Sequence, residues 1–326
     1  MTTLWDTTGT EVVRALAAER RAHGAVASGL ALTLVVVVDE AHVADAERAA
    51  TRAAAEHPCR LLIVVRRRPD APESRLDAEV LIGGRLGPGE AAVLRMYGRL
   101  ALHAESVVLP LLAPDAPVVT WWFGTPPHLI AHDPLGVLAD RRVTDATLAP
   151  DALAALDRRA ADYVPGDTDL SWTRATPWRS LCALAFDGVS SPATSATVTG
   201  PAGDPTRALL AGWLQTRLSV QVALVDGPVL SQVTIAVGDG EVTVTRLDDT
   251  GARLQRTGQP DRMMPLEPVG LGDLLAEELR RLDADEAYGQ ALVAATGTTS
   301  EADRPRTQVW HDPSSAVVPD PALTTT

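Results

Sequence analysis

The sequence contains no lysine: all 29 of its basic residues other than histidine are arginine. This excludes a phosphate-loop lysine, a Schiff base and a lysine nucleophile. Arginine favours forked contacts to anions instead. Aromatic residues make up only 4% of the chain, and the 2 cysteines, Cys59 and Cys182, are so far apart that they read as reduced, buried thiols rather than a disulfide framework. No apolar run is long enough to cross a bilayer, and the longest, Leu30 to Val38, is interrupted by Thr33. Met1 to Asp6 has no basic segment leading into an apolar one, so no secretory signal is read and a cytoplasmic chain is expected. Acidic residues outnumber basic ones 42 to 29, and the net charge of −13 disfavours nucleic acid and anionic membranes as partners.

What the chain has is apolar bulk, 46% of 326 residues, enough for two domains. Leu30 to Val38 and Cys59 to Arg66 are near-continuous aliphatic runs, the pattern of strands buried on both faces. Between them Asp39 caps a helix that Pro58 stops, so the three elements form a right-handed parallel βαβ unit. Leu76 to Ile82 continues as a strand, Glu90 to Tyr97 fits strand or helix, and Gly98 to about Leu109 reads as a helix. The next strand runs from Val118 to Trp122 and stops at Phe123-Gly124-Thr125-Pro126-Pro127. Neighbouring strand side chains alternate in direction, so Trp121 and Trp122 must enter different layers.

Further along, Asp151 to Tyr163 is an amphipathic helix, Asp167 to Arg174 a polar loop, and Pro177 opens a helix with Trp178, Leu181 and Cys182 inward. Val220 to Val225, Val229 to Val237 and Glu241 to Arg246 read as strands, the last two joined as a hairpin, and two helices follow within Asp273 to Ala295. The expected fold is α/β: an open, mostly parallel sheet with helices on both faces over residues 1–188, then a smaller α+β domain with antiparallel strands over 189–295. Residues 296–326, including Trp310, read as a disordered tail.

No catalytic constellation emerges. Gly83-Gly84-Arg85-Leu86-Gly87-Pro88-Gly89 has the wrong glycine spacing for a dinucleotide turn, and Gly188-Val189-Ser190-Ser191-Pro192 fails as a nucleophile elbow. His128 and His132 lie between prolines and read as a solvated loop rather than a metal site. In His57-Pro58-Cys59-Arg60 an activated thiolate competes with a plain helix stop before a buried strand, and the stop is preferred. Arg66-Arg67-Arg68 reads as solvated charge, with an anion or acidic-partner site as the sharper alternative. Catalytic, cofactor and metal residues are therefore expected to be none. The conspicuous side chains are of interface type: Trp121, Trp122, Pro126, Pro127, Trp172, Arg174, Trp178 and Arg179. Arg60, Arg141 and Arg142 are candidates for an anion site at the carboxyl ends of the parallel strands.

Several stretches together resemble one family. They are His57 to Arg60 before an aliphatic strand, Gly87-Pro88-Gly89-Glu90 before Leu94 to Gly98, and Pro117 to Trp122. Pro165 to Arg174, Thr176-Pro177-Trp178-Arg179 and Leu274 to Asp283 complete the set. Their ordered combination, from about Trp5 to Ala294, is similar to the glucose-6-phosphate dehydrogenase assembly protein family, OpcA, in its actinobacterial form. The resemblance implies a non-catalytic partner that assembles or allosterically activates glucose-6-phosphate dehydrogenase, the NADP-linked entry enzyme of the oxidative pentose phosphate pathway. It transfers no list of active residues. Thiol-based control, associated with cyanobacterial relatives, is not expected here, where the 2 cysteines read as buried. The competing expectation is a sugar-phosphate- or nucleotide-binding sensor or enzyme that uses the cleft of the α/β domain.

Overall fold

In the computed structural model, which describes residues 1–22, 30–83 and 89–300, the aliphatic runs pair as their patterns require. The chain begins with an edge strand, β1 (Thr2–Leu4), and helix α1 (Gly9–Ala22). Thr8 and Glu11 close the start of α1 reciprocally, each side chain bonding the other's backbone N–H. There follow β2 (Leu32–Val38), α2 (Val43–Glu56), β3 (Cys59–Arg67), β4 (Arg75–Ile82), β5 (Glu90–Tyr97), the short α3 (Glu105–Val108), β6 (Val118–Trp122) and α4 (Pro134–Val137). Strand β7 (Arg141–Thr144), α5 (Ala152–Asp162) and β8 (Asp167–Asp169) complete the first sheet. Its eight strands are ordered β1-β4-β5-β3-β2-β6-β7-β8. The run β5-β3-β2-β6-β7-β8 is parallel throughout, and β4 and β1 join antiparallel at one edge. Read from β2 as the first strand, the parallel set has the 3-2-1-4-5-6 order of doubly wound nucleotide-binding folds.

The two tryptophans of β6 do enter different layers. Trp121 packs with the β2 residues Val36 and Val38, the alanines of α2, and Leu274, Leu275 and Leu279 from a helix near the end of the chain. Trp122 packs on the opposite face with Val35, Val37, Val12 and Leu16 of α1, Ile130 and Leu135. Helical layers thus cover both faces, which explains why β2 is buried along its whole length.

Helices α6 (Leu170–Arg174) and α7 (Thr176–Phe186) lead to β9 (Ala193–Gly200), α8 (Pro205–Leu218), β10 (Val222–Asp226), β11 (Gln232–Val237), β12 (Gly240–Arg246), β13 (Gly251–Arg256) and β14 (Arg262–Pro265). These strands form a second sheet, ordered β10-β9-β11-β12-β13-β14 and antiparallel except for the β9–β10 pair. Helices α7 and α8 close one face of it around Trp178, Leu210, Val198 and Val233. The chain ends its described part with α9 (Leu271–Arg280) and α10 (Glu286–Thr296). Both cross the boundary expected at residue 188: α9 lies against α2 in the core of the first sheet, and α10 joins Leu156, Trp172 and Leu209 in a fourth cluster.

Three local expectations are corrected. Asp167 to Arg174 is no solvated loop but β8 and α6, because its carboxylates are bonded inside the fold rather than to water. Gly98 to Leu109 is not one helix: two 3-10 turns, Gly98–Leu102 and Leu109–Leu111, flank α3, and Pro110 cannot donate the bond that would continue it. Strands β13 and β14 were not anticipated; their hairpin entry is set by Asp248, whose carboxylate accepts from the N–H groups of Thr250 and Gly251. The glycine run at 84–88 and the tail at 301–326, with Trp310, lie outside the described residues. No helix among the described residues is long and apolar enough to cross a membrane.

The Trp122 layer leaves no room at Gly136 in α4. A Cβ there would stand 1.7 Å from the Ile130 carbonyl oxygen and 3.4 Å from the Trp122 ring. The Gly136→Ala variant should therefore lose about 3 kcal/mol or more of stability, measured by urea unfolding.

Candidate functional site

In open parallel sheets the usable crevice lies outside the carboxyl ends of the strands, where the strand order reverses. Here that point falls between β2 and β6, and the chain has filled it. After β2 comes Asp39-Glu40-Ala41-His42, with no glycine; the Asp39 carboxylate caps the turn by accepting from the N–H of His42. Phe123, just beyond β6, meets the Trp121 ring edge-on at 5.4 Å and the His42 ring at 5.9 Å. A pyrophosphate is favoured by a glycine-rich turn without negative charge, whereas this turn carries Asp39 and Glu40 and its His42 N–H is taken by Asp39.

Further along the same edge, beyond β6, β7 and β8, a cavity of about 260 Å³ opens. Its lip is made by Pro126, Pro127, Ala149 and Pro150, and Asp145 and Asp169 lie at its base. Arg174 of α6 grips Asp145 with two bonds of 2.7 Å. Asp169 is fully buried and accepts from Thr144 Oγ1 at 2.8 Å and from the N–H groups of Ala146 and Ser171 at 2.9 Å. Burial, and then the charge of Asp145, raise its carboxyl above the usual range. Beside this lip two large apolar side chains face solvent, Leu129 at 47% exposure and Leu148 at 39%. Sequence reasoning missed both, since a single leucine in a loop carries no periodicity.

The interface tryptophans are placed otherwise than expected. Trp121, Trp122, Trp172 and Trp178 are 0%, 2%, 1% and 2% exposed, so their rings are core and offer nothing to a partner in this fold. The Trp172 Nε1 donates to Asp285 at 2.8 Å. Pro126, Pro127, Arg174 and Arg179 remain partly accessible.

The three anion candidates are not at the carboxyl edge. Arg60, Arg141 and Arg142 sit at the opposite, amino-terminal ends of β3 and β7, and each is buried with a carboxylate. Arg60 donates to Glu90 at 2.7–2.8 Å and to the carbonyls of Leu111 and Leu112. Arg141 bonds Glu278 of α9 and the Asp283 carbonyl, and Arg142 bonds Asp167 together with the Ala139 and Pro165 carbonyls. Arg66 and Arg67 are likewise paired, with Asp133 and Glu40.

Both thiols are buried, and burial alone pushes each up to about 12. The Arg60 guanidinium beside Cys59 is held by Glu90, so no thiolate is activated there. No group of three or more His, Cys, Asp or Glu is placed to hold a metal among the described residues.

These features define a doubly wound α/β sheet joined to a smaller mixed sheet, whose nucleotide crevice is closed by aromatic side chains and whose carboxyl edge is open at a proline-lined lip. Solved structures include distant likenesses. A 3-ketoreductase from Actinomadura kijaniata is 12% identical with a TM-score of 0.43, covering 82% of this chain and 98% of that one. An oxidoreductase domain protein from Kribbella flavida is 10% identical with a TM-score of 0.44, covering 81% and 94%. At such scores neither bears on function. No curated protein matches the chain. Residues 50–161 match the model of the glucose-6-phosphate dehydrogenase subunit N-terminal domain, and residues 165–292 that of the corresponding C-terminal domain. The chain belongs to this family, the OpcA glucose-6-phosphate dehydrogenase assembly proteins.

Two outcomes follow for the groups just described. Neither thiol should react with a disulfide reagent in the native protein, and both should react once it is unfolded in guanidinium. Burial raises the Asp167 carboxyl from 3.8 to about 6 against the pull of Arg142. A group that binds its proton more tightly when folded contributes stability in full below pH 3.8, and that contribution is lost as pH rises through about 6. Asp167→Asn should therefore flatten the fall in unfolding free energy between those two values, whatever it does to the absolute stability.

Proposed function

We propose that this chain is a non-catalytic assembly factor and allosteric activator of glucose-6-phosphate dehydrogenase, acting in the cytoplasm by binding the assembled enzyme. The observation that carries the reading is the family match across residues 50–161 and 165–292. The closed crevice supports it: a fold with nucleotide-binding strand order has an acid-capped turn and an aromatic plug where a dinucleotide would lie. Arg60, Arg141 and Arg142 are bonded within the core, which weakens the sensor or enzyme alternative that relied on them.

The contact surface we assign is the carboxyl edge around Pro126, Pro127, Leu129 and Leu148, where apolar side chains stand beside a concave lip. Activation then requires only that this edge bind one state of the dehydrogenase better than another. A tenfold change in apparent substrate affinity corresponds to about 1.4 kcal/mol of coupling.

Stoichiometric addition of the chain should change both the sedimentation and the kinetics of the cognate dehydrogenase. Leu129→Asp with Leu148→Asp should weaken that binding by about tenfold or more while leaving thermal unfolding unchanged. If sedimentation and kinetics are the same with and without the wild-type chain, the proposed function is wrong. If only the double variant behaves as wild type, the assigned edge is wrong.

A further inference from the structure

A cavity of about 720 Å³ lies on another side of the molecule, between α6, α7 and the connection from α9 to α10. Its size is that of a site for a sugar phosphate or a nucleotide. In its wall stands Arg179 of α7, whose guanidinium carbon is 3.5 Å from the centroid of the Trp172 ring. The indole is buried and pinned through its Nε1 to Asp285, so the guanidinium rests on a fixed platform.

The bonding of this cation is incomplete. One terminal nitrogen donates to Thr176 Oγ1 at 2.7 Å and, at 3.5 Å, to the Trp172 carbonyl. The Nε is buried with no acceptor, and the carboxylates of Asp285 and Glu278 act on the guanidinium through space without a bond to it. Burial holds the group down to about 10.

The carboxylates deep in the same wall are already engaged. Glu278 accepts from Arg141 and from Thr173 Oγ1. Asp285 accepts from Trp172 and from the N–H groups of Ala287 and Tyr288. At the mouth Arg280, paired with Glu277, and Arg281 face solvent, with the acidic side chains of Asp283 and Glu286 beside them. A partly desolvated guanidinium held flat, whose neighbouring carboxylates Asp285 and Glu278 are bonded to other groups, is the feature an incoming oxyanion would complete.

We propose that this cavity binds a phosphorylated small molecule, with the Arg179 guanidinium, stacked on Trp172, as the anchor for its phosphoryl group. Such a ligand would touch α7, which belongs to the core of the second sheet, and the α9–α10 connection, which is tied to the first through Arg141. Occupancy would thereby clamp the two sheets together.

The test uses the chain alone, without dehydrogenase, so that its result is independent of the proposed function. Inorganic phosphate is titrated calorimetrically and in thermal unfolding, against potassium chloride and acetate at equal ionic strength. Saturable heat and a rise in Tm are expected with phosphate and not with the other salts. Arg179→Met should weaken phosphate binding by about tenfold or more. Arg179→Lys, which keeps the charge but not the fork, should weaken it less, and it decides the matter should Arg179→Met fail to fold. The proposal is overturned if phosphate acts only as the control salts do, or if a folded Arg179 variant binds phosphate as the wild type does.

Discussion

Two arginines at the start of β7 tie the first sheet together and to the elements that lead into the second. Because strand side chains alternate, Arg141 and Arg142 leave the strand on opposite faces, and each is buried with a carboxylate brought from elsewhere. Arg142 meets Asp167 on the neighbouring strand β8, fixing the last step of the parallel sheet. Arg141 meets Glu278, and Glu278 in turn accepts from Thr173 on α6. One carboxylate from α9 therefore joins the first sheet to the helix that leads into the second. Removing either partner of such a buried pair leaves a charge without water or counter-ion, typically a loss of about 3–5 kcal/mol. The Arg141 pair accordingly fixes the place of α9 more than it adds to net stability.

That arrangement also accounts for where contact with other molecules is open. The amino-terminal ends of β3 and β7 are closed by Arg60, Arg141 and Arg142 with their acids. At the strand-order switch on the other edge, Phe123 packs between the rings of Trp121 and the exposed His42. Among the described residues, the proline-lined lip beyond β6 to β8 and the chamber beside Arg179 are two of the places that stay accessible. The strand order is that of doubly wound nucleotide-binding folds, while the residues at its switch point are acidic and aromatic rather than glycine-rich.

Much of this was legible in the sequence, for physical reasons that can be named. Continuous aliphatic runs such as Leu32 to Val38 report burial on both faces directly, and the alternation rule placed Trp121 and Trp122 in different layers without coordinates. The polar core was not legible. Arg141 and Glu278 are 137 residues apart, and nothing local in either distinguishes a buried ion pair from solvated charge. The same blindness turned Asp167 to Arg174 into a loop and sent the tryptophans to an interface. Composition made those rings conspicuous, whereas exposure depends on tertiary neighbours such as Tyr288 and Asp285 beside Trp172.

Helix α9 has one more consequence, for the order in which the molecule can be built. It packs against α2, with its Leu274, Leu275, Ala276 and Leu279 in the same core as Trp121, yet it is synthesised after the whole of the second sheet. During translation the α2 side of the first sheet must wait, with its aliphatic face part bare, while more than a hundred residues emerge. Long-range closure of this kind is slow and leaves apolar surface open to chance partners. Completion of the first sheet thus waits on the docking of a helix that is synthesised only after every strand of the second.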